Sequence, residues 1–146
     1  MEELSKLVDD LYEVFSTYRD PGKDFCQYCY SEPEVQHFKL TPLRQLGPDD
    51  ARTLLWESSD HWESQDVYRH YLPRMLEAMG PPSWVEDLYV EHLFDTMRAL
   101  DFHSWPLAER TTVTTYLKTL EPLMSSLMAE DRDLFVAQIE ELEKLP

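Results

Sequence analysis

Glycine is scarce in this chain of 146 residues, with only Gly22, Gly47 and Gly80 present. Each falls at an expected helix boundary, so no glycine-rich loop is available to cradle a phosphate or a dinucleotide, and nucleotide folds are disfavoured. Long apolar runs are missing as well. No stretch approaches the roughly 20 residues needed to span a bilayer, and the opening Met1-Glu2-Glu3 lacks the basic region and apolar core of a signal peptide. A cytoplasmic protein with reduced thiols is therefore expected, with no membrane partner. Positive charge is in short supply, with 13 Lys and Arg against 29 Asp and Glu and a net charge of −16. Nucleic-acid backbones need clustered Lys and Arg, so a nucleic-acid partner is disfavoured and a basic protein fits better. Neither a G-x-S-x-G elbow nor an H-E-x-x-H pair occurs, which removes two common hydrolase signatures.

What is present reads as all-α. Alternation of apolar and polar residues is never sustained between turn signals, so no strand is expected. Leu4, Leu7, Val8, Leu11, Phe15 and Tyr18 recur at helical spacing and make one face of an opening helix, which Asp20-Pro21-Gly22 ends. Ser31-Glu32-Pro33-Glu34 has the form of a capping box with a proline in the first turn, predicting a helix over about residues 32–39. Gly47-Pro48-Asp49 restarts the chain into a helix with Ala51, Leu54, Leu55 and Ser58 inward. Ser64 caps another whose stripe is Val67, Tyr71, Met75 and Met79, kinked or split near Leu72 by Pro73, and Gly80-Pro81-Pro82 stops it. Ser83 and Glu86 repeat the capping box before Val85, Leu88, Tyr89, His92, Leu93, Met97 and Leu100. Ser104-Trp105-Pro106 starts a helix with Leu107, Val113, Leu117 and Leu120 inward, kinked at Pro122 before Met124 and Leu127. A last helix follows Asp131 with Phe135, Ile139, Leu142 and Leu145. The sum is a single domain over residues 1–146, a compact irregular bundle of about seven helices, with solenoid-like stacking of helix pairs as the less favoured arrangement.

The one chemical handle is Cys26-Gln27-Tyr28-Cys29, which gathers both cysteines into a C-x-x-C pair just before the Ser31 cap. Such a pair is half a zinc site, a redox dithiol or a reduced structural pair. Redox catalysis is disfavoured, because Asp24, Glu32 and Glu34 oppose a thiolate and no strand precedes the motif. For zinc, Cys26, Cys29 and His37 are the candidate ligands, with a fourth from His61, His70, His92, His103 or a second chain. Glu34-x-x-His37 has the spacing of a di-iron ligand pair but occurs once, and those sites need it twice. Asp66 and His70 stand four apart, as a helix-supporting pair does. Trp56, Trp62, Trp84 and Trp105 read as packing anchors more than as a ligand cage. Arg74, beside the break at Pro73, should be paired with carbonyls or carboxylates; the functional alternative joins Arg44, Arg74 and His70 in an anion pocket.

Four blocks taken together, the C-x-x-C with Ser31, Pro42-Leu43-Arg44-Gln45-Leu46, the run Tyr68 to Glu77 containing Leu72-Pro73-Arg74-Met75-Leu76-Glu77, and Trp105-Pro106-x-x-Glu109-Arg110, resemble a family of small bacterial proteins without an assigned activity. The resemblance covers roughly residues 26–117. It implies a small cytoplasmic bacterial protein and supplies no cofactor or catalytic residue. Two functional expectations follow: a non-catalytic module that binds another, basic, protein through an acidic helical surface, or a zinc protein centred on Cys26 and Cys29.

Overall fold

In a computed structural model, the described residues are 2–18, 31–56, 65–124 and 129–144. Among them the secondary structure is helical throughout, with seven α-helices: α1 (Glu2–Val14), α2 (Glu32–Leu40), α3 (Pro48–Trp56), α4 (Gln65–Met79), α5 (Asp87–Ala99), α6 (Leu107–Leu120) and α7 (Ala129–Lys144). Single 3-10 turns lie at Leu43–Gln45, Phe102–Ser104 and Glu121–Leu123. None of the described helices is long and apolar enough to cross a membrane. The chain divides into two compact units, one of residues 1–14 and 97–146 and the other of residues 15–96.

In the first unit α6 is the centre, packed by α1 and α7. Leu4 and Leu11 of α1 and Val113, Tyr116, Leu117 and Leu120 of α6 are all buried, as helical periodicity requires of facing stripes. Phe135, Ile139 and Leu142 are the buried stripe of α7. Pro122 ends α6 instead of kinking it. The helix stops at Leu120 and the proline opens the Glu121–Leu123 turn, where its missing N–H has no helical partner to lose. Asp101, at φ 54°, turns the chain out of α5 in a left-handed conformation that aspartate tolerates better than most residues. Leu107 departs from the sequence reading: it is 68% exposed, while Glu109 two positions on is buried.

In the second unit α4 takes the central place, packing against α3 and the Leu43–Gln45 turn. Its burial is wider than a stripe, since Tyr68, Leu72, Leu76 and Ala78 are as inaccessible as Val67, Tyr71, Met75 and Met79. The buried face covers most of the helix, and Asp66, Arg69, His70 and Glu77 mark the side that stays accessible. That packing accounts for the fate of Pro73, which lies inside one continuous α4 and does not split it. The capping box at Ser31 forms as expected. Ser31 Oγ accepts from the Glu34 amide at 3.3 Å and Glu34 Oε1 accepts from the Ser31 amide at 3.0 Å. The same pattern at Ser83 does not form a box, because α5 begins later, at Asp87, and Ser83 lies in the turn that follows α4. In that turn Trp84 adopts φ 44°, and the amides of Trp84 and Val85 donate to the carbonyls of Gly80 and Ala78.

Candidate functional site

The C-x-x-C pair, Cys26 and Cys29, lies outside the described residues, as does His61. Among the described residues no three of His, Cys, Asp and Glu are gathered as a metal-binding group. His37, the third zinc candidate, is placed on α2 with its Nε2 at 3.0 Å from both carboxylate oxygens of Asp50. A carboxylate only accepts, so Nε2 donates. Asp50 Oδ2 also accepts from the Gly47 amide at 3.0 Å, so one carboxylate closes the first turn of α3 and holds the last turn of α2. Ligation through Nε2 would break that tie. Glu34, the other half of the E-x-x-H spacing, is held in the Ser31 cap.

His70 is arranged differently. Its Nδ1 lies 2.5 Å from the Tyr18 carbonyl, and a carbonyl can only accept, so Nδ1 carries the proton and Nε2 the free lone pair of the neutral ring. The ring packs edge-on against Tyr71 with centroids 4.8 Å apart. Arg69 flanks it, donating to the Tyr18 hydroxyl at 3.0 Å and lying over the Tyr18 ring. On α5, His92 lies against the half-exposed Trp56 with ring centroids 4.8 Å apart, and its buried Nδ1 makes no hydrogen bond to a described residue.

Two arginines of the distinctive blocks, Arg74 and Arg110, reach backbone carbonyls. Arg74 is only 7% exposed, donates from Nε to the Leu46 carbonyl at 2.7 Å and reaches Glu77 at 3.5 Å. It is paired, as the sequence implies, yet its carbonyl belongs to the loop before α3 and not to the turn broken by Pro73. Arg110 donates from Nε to the Trp105 carbonyl at 2.9 Å, and the Trp105 indole donates to the Leu100 carbonyl at 3.1 Å. The Tyr68 hydroxyl reaches the Leu93 carbonyl at 3.3 Å, and full burial holds this phenol far above its ordinary pKa. The anion pocket read from Arg44, Arg74 and His70 loses two of its members to such ties.

Ion pairs complete the surface. Arg52 bridges Asp49 at 2.8 Å and Glu86 at 2.9 Å. The hydrogen bond from Arg52 holds the Glu86 carboxyl below its ordinary range and raises the guanidinium in return. Lys118 meets Glu143 at 2.6 Å, and Arg132 meets Glu121 at 2.8 Å. Between α6 and α7 lies an open cleft of about 190 Å³. Phe102, Leu107 and Leu142 give it apolar walls, and Arg110, Thr111, Thr114 and Glu143 its polar ones. Leu107, which helical spacing places on the buried stripe, belongs instead to the wall of this cleft.

Fold and site define the chain as an all-α protein in which His37, His70, Arg74 and Arg110 are each tied to another part of the chain. No protein-family model matches it, and neither a curated protein nor a solved structure is similar to it.

Proposed function

We propose that this chain is a non-catalytic helical module that binds another protein, one rich in Lys and Arg, through its acidic surface. The observation that carries this reading is the tie of Arg74 Nε, Arg110 Nε, His70 Nδ1 and the Trp105 indole to the chain's own carbonyls, which gives these side chains a structural role. The acids support the choice of partner. The first unit has 14 acidic and 6 basic residues and the second 15 and 7, so the excess is shared and not confined to a tail. Glu2, Glu3, Glu91, Asp133 and Glu140 are among those exposed to solvent. A field of this sign speeds encounter with a cationic surface and weakens with salt. Capture from the native cell at low salt tests the reading. A stoichiometric partner with an excess of Lys and Arg is expected, and recovery of free protein alone would overturn it.

A second reading, zinc held by Cys26 and Cys29, is favoured by one observation. His70 presents its Nε2 lone pair while Nδ1 is oriented by a carbonyl, the arrangement common to metal-ligating histidines. The carbonyl is that of Tyr18, eight residues before Cys26 in the chain. On this reading His70 is a better ligand than His37, and replacing His70 by Gln should lower the zinc content of untagged protein while His37→Gln leaves it unchanged. Absence of zinc from the native protein would end it.

A further inference from the structure

The α6–α7 cleft carries an inference that deepens, and rests on, the partner-binding reading. Its distinctive member is Arg110. The tie from Nε to the Trp105 carbonyl fixes the plane of the guanidinium, while its two terminal nitrogens make no hydrogen bond to the described residues. Arg52, Arg98, Arg132 and Lys118, by contrast, each reach a carboxylate. Glu143, the acid in the cleft wall, is held by Lys118 at 2.6 Å. A planar, oriented guanidinium with free donors matches the two oxygens of a carboxylate. Beside it lie the apolar walls of Phe102, Leu142 and Leu107, the last 68% exposed.

Size and charge decide what fits. At about 190 Å³ the cleft is smaller than the roughly 300–1,000 Å³ of a small-molecule site and suits a single anchoring side chain of a larger partner. A free anion would be repelled by the acidic unit around it, whereas a carboxylate carried on a basic polypeptide would not. We propose that this cleft anchors the C-terminal residue of a basic partner polypeptide, its apolar side chain against Phe102, Leu107 and Leu142 and its terminal carboxylate on Arg110.

The probe is the tripeptide acetyl-Lys-Lys-Leu as free acid, titrated into the isotope-labelled full chain and followed by amide chemical shifts, with its C-terminal amide as control. Saturable shifts clustered on α6 and α7 are expected with the acid, and binding about tenfold weaker with the amide, the worth of a charge-assisted bidentate contact. Arg110→Lys should weaken the acid by a similar factor. Because Arg110 also steadies the Trp105 carbonyl, Leu107→Asp serves as the second variant: its exposed position preserves the fold, and it should weaken binding by about tenfold as well. Equal affinity for acid and amide, or no shift at millimolar peptide, overturns the proposal. So does N-acetyl-leucine binding as tightly as the tripeptide, which would make the cleft a small-carboxylate site. A basic partner that co-purifies undiminished with both variants overturns the cleft while leaving the partner-binding reading intact.

Discussion

Removing the Arg74 guanidinium would leave the Leu46 carbonyl without its donor inside the second unit, where water cannot readily replace it. Arg74→Met is expected to cost about 2–3 kcal/mol in chemical denaturation, with Arg74→Lys recovering part of it, because a hydrogen bond to a charged group and an orphaned carbonyl are both lost. Glu86 gives the matching prediction in pH. Its folded-state carboxyl lies below the ordinary range, so its stabilising effect is present above the unfolded pKa of about 4.3 and is lost as pH falls from there through the folded value. Native protein should therefore lose more stability than Glu86→Gln between about pH 5 and pH 3. At this scale the sequence was partly legible. An arginine beside a proline break announces a partner, but Leu46 lies 28 residues away and only the fold brings it to Arg74. The His37–Asp50 tie was hidden for the same reason, with 13 residues between the two.

Among the elements, two identical cap patterns had opposite outcomes, and the comparison shows what a motif needs. Ser31 sits at φ −69° and ψ 160°, the extended conformation that lets its hydroxyl face the first turn of α2. Ser83 belongs to a turn shaped by the left-handed Trp84, and Glu86 reaches Arg52 on α3 instead. Ser31→Ala should lower stability by about 1 kcal/mol, measured by urea denaturation, whereas Ser83→Ala should have no capping effect. Periodicity found the helices and most inward faces. It underestimated α4, whose buried face extends past the expected stripe to Tyr68, Leu72 and Leu76, and it misplaced Leu107, whose spacing fits the stripe although its position at the first residue of α6 lies beyond the packed part.

For the whole molecule, charge and composition were legible from the start, while the cleft was not, because it depends on how α6 and α7 meet. Partner binding through dispersed acids predicts a sensitivity to ionic strength that a buried apolar interface would lack. The most direct measurement is the affinity of this chain for its captured partner as a function of salt. The account predicts a stoichiometric complex with a Lys- and Arg-rich protein whose dissociation constant rises on the order of tenfold between low and high salt. A partner held equally well across that range, or a zinc-dependent activity of the purified chain, would contradict it.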